Sequence, residues 1–408
     1  MLELDPLETL AFGGVALLLG YGLRRLMPAL GRYNIPPPVI GGLVVSLIAL
    51  GAYLQDTTLF RFDTALQSPL MIAFFTTIGF GASLSLLRVG GPQVALFLGV
   101  ATVFAVVQNV VGMFVAQAFG LHPLFGVLSG SVTLTGGPAT GLAFAPLFEQ
   151  AGVPGAAVVA VAAAMAGIVA GGLIGGPVGT WLIERHRLHG ASEASSLPAA
   201  GADADDDPER GIVERWTEPE EVDAYAVLKN LVYVLVAMWA GSWVSAGFSA
   251  LGITLPAYIG AMLVATVMRN LDDATGWLGL SHRLIDMLGA VSLSLFLAMA
   301  LMTLKLWELA GLALPLVVNL IVQVALVAVV CIWPVYRLMG RDYESAVMSG
   351  GFAGFMLGTT ANAMAVMRAL VERYGAAPRA FLVAPLVGAF FIDFTNAIII
   401  TGFINMLR

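Results

Sequence analysis

Apolar runs of roughly 18 residues or more recur along the whole of this 408-residue chain, and each is long enough to cross a hydrocarbon core about 30 Å thick. Backbone in hydrocarbon must satisfy its own hydrogen bonds, so only α-helices and closed β-barrels can span. A barrel would show short segments of alternating hydrophobicity, whereas these runs are continuous. Composition agrees: 59% of residues are hydrophobic and 11% charged, against about 25% charged in a soluble domain. The expectation is an all-α polytopic membrane protein. The first residues, "MLELD", lack the basic start of a cleaved signal peptide, so the first run is expected to be a retained helix.

Ten spans are expected, at about 9–28, 37–54, 68–87, 93–118, 155–183, 226–249, 254–268, 286–306, 311–336 and 379–405. Two further segments, about 125–147 and 346–371, are apolar but rich in Gly, Ser and Thr, and each precedes the last span of its half. The halves align: "IPPPVIGGL" at 35–43 matches "TLPAYIGAM" at 254–262, and "FEQAG" at 148–152 matches "VERYG" at 371–375. The expected organisation is a five-helix repeat over 1–183, an acidic linker over 184–225 and a second five-helix repeat over 226–408. An odd number of spans inverts the second repeat relative to the first, a pattern of secondary transporters. The Gly-rich segments then read as re-entrant loops.

Charge tests the topology independently. With the N-terminus outside, only Arg61, Lys305 and Arg408 of the 19 Lys and Arg residues face out, which satisfies the positive-inside rule. Twelve of the 26 acidic residues fall between Glu184 and Asp223, so the net charge of −7 describes a solvated tether more than the membrane part. Cys331 is the only cysteine, which rules out an intrachain disulfide, and the four histidines lack metal-ligand spacing. Neither a Walker loop nor a hydrolase motif is present, so the chain reads as no enzyme and no ATP-driven pump.

Chemistry concentrates in three places. The loop segments "GSVTLTGGPATG" (130–141) and "SGGFAGFMLGTTANA" (349–363) could expose backbone N–H groups and helix N-termini to an anion. Thr133, Thr135, Gly136, Gly137 and Thr140 in the first, with Gly358, Thr359, Thr360 and Asn362 in the second, are the candidate substrate ligands. The competing reading is helix packing, because Gly350, Gly354 and Gly358 fall four apart on one face. Second, Asp393 lies inside an apolar span, where translocon scales put the cost at about 2.5–3.5 kcal/mol. With Thr395 and Asn396 it offers hard oxygen ligands for a sodium ion; the alternative is an interior carboxylate that is protonated or kept for packing. Third, Gln108 and Asn109, which join the candidate sodium ligands, and Gln323 in the corresponding span, either line a cavity or bridge helices. "GGLIGG" (171–176) reads as a tight helix crossing, and Pro36 to Pro38 and Pro256 as helix starts.

These segments identify a resemblance. "IPPPVIGGL", "SPLMIAFFTTIGFGASL", "SLSLFLAMALMTLKLWELAGLALP" and "LVAPLVGAFFIDFTNAI" resemble the bacterial sodium/glutamate symporter family over nearly the whole chain. The family's loops carry a Gly-Gly-x-Gly-x-Gly signature, in which Ala139 and Met356 stand here at expected glycines. The resemblance implies sodium-coupled glutamate uptake across the bacterial inner membrane, no cofactor beyond the coupling sodium ion, a homodimer in lipid, and an elevator-like movement of a transport domain. Charge adds one argument. Glutamate carries −1, and moving one charge through 100 mV is worth about 2.3 kcal/mol, so uptake gains from the membrane potential only with more than one sodium ion. Two other readings stay open: proton- or sodium-coupled uptake of another small organic anion, and a channel whose filter is the paired loops.

Overall fold

The computed structural model describes residues 2–32, 35–84, 91–188, 223–250 and 256–407. Most of the acidic linker lies outside these residues, as does Arg88. Among the described residues the regular structure is helical apart from one short parallel pair, β1 (Leu2–Leu4) with β2 (Phe60–Phe62). That pair was not expected from the sequence.

The first half runs α1 (Pro6–Leu26), α2 (Pro28–Arg32), α3 (Pro37–Tyr53), α4 (Gln67–Gly81) and α5 (Gly91–Ala118). A helical hairpin follows, formed by α6 (Pro123–Val127) with a π-turn at Leu128–Val132, and α7 (Gly137–Gln150). The half closes with α8 (Ala156–His186). The second half has α9 (Ala224–Ala250), α10 (Ala257–Thr275), α11 (His282–Met302) and α12 (Ala313–Val330), the last continuing through a π-turn to Leu338. Its hairpin is α13 (Tyr343–Met356) and α14 (Thr360–Tyr374), followed by α15 (Pro378–Leu386), a π-turn, and α16 (Ile392–Leu407). Among the described residues six helices are long and apolar enough to cross a membrane, which makes this a multi-pass membrane protein.

The helix ends have local causes. Asp5 and Glu8 cap α1 reciprocally, each side chain accepting from the other's backbone N–H at 2.8 and 3.0 Å. Pro36 and Pro256 are the N-caps of α3 and α10, as expected of helix-starting prolines. Asp342 caps α13, accepting from Ser345 N at 2.8 Å. Of the third span, expected at 68–87, one helix runs to Gly81, where Ala82 leaves helical geometry, and residues 85–87 lie outside the described residues.

The helices sort into two bundles. One gathers α1, α3 and α4 with α9, α10 and α11. The other gathers α5, α8, α12, α15, α16 and both hairpins. Close crossings without side chains hold the first bundle together. A Cβ on Gly41 would fall on the Ala16 carbonyl, and one on Gly260 would fall on the Gly241 carbonyl. Such contacts suit a membrane interior, where small residues let backbones approach. In the second bundle Gly171 meets Gly354, whose Cα lies 3.3 Å from where a Cβ on Gly171 would stand. The glycine stripe of α13 therefore packs on "GGLIGG" of α8, and only its last member, Gly358, reaches the hairpin tip. The two bundles meet along a seam of α4 and α11 against α7, the π-turn at Val387–Phe391 and α16.

Candidate substrate and ion site

A cavity of about 290 Å³ opens in this seam. Thr135, Gly136, Gly137, Pro138 and Ala139 of the first hairpin tip line one side, and Gly358, Thr359 and Thr360 of the second line another. Asp393, Phe355, Ser294 and Pro36 to Pro38 complete much of the wall. The tips nearly touch, since a Cβ on Gly137 would stand 3.8 Å from Thr359 Cγ2 and 3.9 Å from Gly358 O. Gly137 has φ +69°, a left-handed conformation that glycine adopts without strain. It opens α7 at the cavity, and Thr359 caps α14 beside it. Two helix N-termini, with their positive dipole ends, therefore converge on one wall.

Asp393 supplies a carboxyl group. It lines the cavity, and among the described residues it has no hydrogen-bond or ion-pair partner. Among the described residues no Lys, Arg or His lines the cavity. Arg373 is turned to Glu184 at 3.4 Å, and Arg368 lines a separate pocket with Glu372 and Phe381.

The remaining candidates brace the tips. Gln108 donates Nε2–H to Met356 O at 3.0 Å and accepts the Thr135 hydroxyl on Oε1 at 2.8 Å, so one carboxamide holds both hairpins. Asn109 Oδ1 accepts from Ser131 N at 2.9 Å, and Asn396 Nδ2 donates to Ser131 O at 3.0 Å. Gly130, between them and non-helical at φ −104°, ψ −127°, breaks the first hairpin. Thr133 turns inward to Leu128 O at 2.8 Å, and Asn362 Nδ2 donates to Ile168 O at 2.5 Å. Thr140 is buried with its side chain against Gly136. Thr395 bonds Ile392 O and faces Thr102.

Sequence reasoning passed over one member of this network. Asn319 of α12 donates to Ser129 O and Oγ at 2.9 and 2.8 Å, four residues before Gln323, which donates to Gln108 O at 2.8 Å. A polar residue one helical turn from a singled-out glutamine was the signal available.

The sodium/glutamate symporter family profile matches residues 2–376. The chain belongs to that family. It is 39% identical over 394 residues to a sodium/glutamate symporter of Haemophilus influenzae, covering 96% of this chain and 95% of that one. It is 40% identical over 402 residues to a sodium/glutamate symporter of Escherichia coli, covering 98% and 97%. These relatives are named as symporters, which sets this family member among transporters rather than enzymes. The profile match includes both hairpin tips and ends before α16, which carries Asp393.

Proposed function

We propose that the chain is a sodium-coupled glutamate symporter of the bacterial cytoplasmic membrane. The observation that carries this reading is the meeting of two helix N-termini and an unpaired carboxylate on one small cavity. The volume lies at the low end of small-molecule sites, about 300–1,000 Å³. In this reading the substrate carboxylates meet backbone N–H groups at the starts of α7 and α14, those of Gly137 and Ala139 and of Gly358 to Thr360, with the Thr359 hydroxyl beside them, because the Thr135 and Thr360 hydroxyls already donate to Gln108 Oε1 and Gly388 O. Asp393 holds a sodium ion beside them. The relatives' names and the full-length likeness favour sodium and glutamate over other ion and substrate pairs.

The ten-span arrangement with inverted repeats, N-terminus outside and linker in the cytoplasm, is part of the same proposal, as are the homodimer and the elevator-like movement. The recurring order of four major helices, a hairpin and a closing helix supports the repeat. The division into two bundles with the cavity in their seam supports movement of one bundle against the other. Uptake of radiolabelled L-glutamate into proteoliposomes under a sodium gradient, a proton gradient or neither tests the proposal. Uptake driven by sodium alone is expected. Uptake driven only by protons, or none under any gradient, would overturn it.

A further inference from the structure

Five buried polar atoms around the break in the first hairpin have no partner among the described residues: Asn109 Nδ2, Ser131 Oγ, Asn319 Oδ1, Gln323 Oε1 and Asn396 Oδ1. All five residues are fully buried. They belong to four elements, yet their other atoms fasten to the same short stretch. Asn319 bonds Ser129, Asn109 and Asn396 bond Ser131, and Gln323 bonds the Gln108 carbonyl that lies against Gly130.

The orientation of three amides is fixed. The nitrogens of Asn319, Gln323 and Asn396 each donate to a backbone carbonyl, at 2.9, 2.8 and 3.0 Å. Flipping any of them would set oxygen against oxygen, so the free atom in each case is the carbonyl oxygen. These oxygens accept only, and they have not paired with the free donors nearby. Unpaired amide and hydroxyl oxygens whose side chains fasten to one short stretch are the donors that a hard cation takes. The cage contains no carboxylate, which suits a monovalent ion over a divalent one that takes charged ligands.

We propose that a sodium ion binds in this amide cage, held by Asn319 Oδ1, Gln323 Oε1, Asn396 Oδ1 and Ser131 Oγ, as a second coupling ion distinct from the one at Asp393. The inference rests on the symporter reading and deepens it. Asn396 stands three residues beyond Asp393 on α16, and Gln323 sits on Gln108, whose side chain holds both tips. An ion here would therefore fix the tips before glutamate arrives. Two sodium ions per glutamate anion would also carry net positive charge inward with the membrane potential.

Thermal unfolding of the purified full-length protein in detergent tests this without any transport measurement. Sodium, potassium and choline chlorides are compared at equal ionic strength, in the absence of glutamate. A saturable rise in Tm is expected with sodium only, because an ion bound to the folded state alone stabilises it. Ser131→Ala removes a hydroxyl with no other partner, so the fold is retained while the sodium concentration at half-effect rises about tenfold or more. Gln323→Lys keeps a donor for the Gln108 carbonyl and places a fixed positive charge in the cage, and the sodium response disappears. An unchanged half-effect in Ser131→Ala overturns the cage. So does an equal response to potassium, or a sodium response lost only in Asp393→Asn. If the unmodified protein shows sodium-driven uptake while these variants keep its sodium response, the cage fails and the symporter reading stands.

Discussion

Thr135 donates its hydroxyl to Gln108 Oε1 at 2.8 Å, tying the first hairpin tip to an amide that also holds Met356 O of the second. Thr135→Val would leave that buried acceptor unpaired, at about 1–3 kcal/mol. If the pairing matters most when both tips close on substrate, the KM for glutamate rises by about 5- to 150-fold, and Thr135→Ser restores it. Uptake kinetics of the two variants check this, and equal KM values in Thr135→Val and the unmodified protein would contradict the role.

Asp393 has no partner among the described residues, so Asp393→Asn breaks no contact within the fold. Sodium-dependent uptake is expected to vanish while insertion and Tm stay close to those of the unmodified protein. Normal uptake with normal sodium dependence would remove Asp393 from the ion site.

Gly41 and Gly14 separate packing from composition. A Cβ on Gly41 would overlap the Ala16 carbonyl, whereas one on Gly14 would have nothing within 4 Å. Gly41→Ala is expected to destabilise by about 1–3 kcal/mol through overpacking. Gly14→Ala should be neutral or stabilising, by up to about 1 kcal/mol, through helix propensity. Thermal unfolding of both variants measures the contrast, and equal effects would show that the α1–α3 crossing is not close.

Arg379 clasps Asp342 through Nη2, at 2.6 and 2.7 Å from the two carboxylate oxygens. Burial pushes the Asp342 carboxyl up. Hydrogen bonds from Arg379 and Ser345, with the arginine charge, outweigh burial and hold it below the usual carboxylate range. A carboxylate lowered in the folded state adds stability above its unfolded pKa of about 3.9, and that stability is lost as pH falls through the lowered value. Asp342→Asn keeps a competent helix cap, so it isolates the charge. The Tm gap between the unmodified protein and Asp342→Asn should be full at pH 6 and shrink below about pH 4. A gap that does not change with pH would exclude the ionised pair as its cause.

Hydropathy located most elements, because span length is fixed by the bilayer. The expected loop segments at 125–147 and 346–371 appear as hairpins over 123–150 and 343–374. Thr135 to Gly137, Gly358 to Thr360 and Asp393 were legible as site candidates, because glycine-rich backbone and a carboxylate are out of place in an apolar chain. Thr133, Thr140 and Asn362 have the same chemistry but point inward, and a sequence does not record side-chain direction at a helix break. Nor could it disclose that Gln108 reaches Met356, 248 residues away. Hydrogen bonds between distant helices leave no periodic mark, which is why Asn319 drew no attention.

The bracing of the first hairpin also sets a timetable. Ser129 waits for Asn319, 190 residues later in the chain, and Ser131 waits for Asn396, 265 residues later. At a synthesis rate of about 5–20 residues per second, those partners emerge roughly 10–50 s after the hairpin does. Until then the nascent chain carries a broken helix in or beside the bilayer without the amide donors of Asn319 and Asn396. A helix made 265 residues after the first hairpin is therefore the one that completes it.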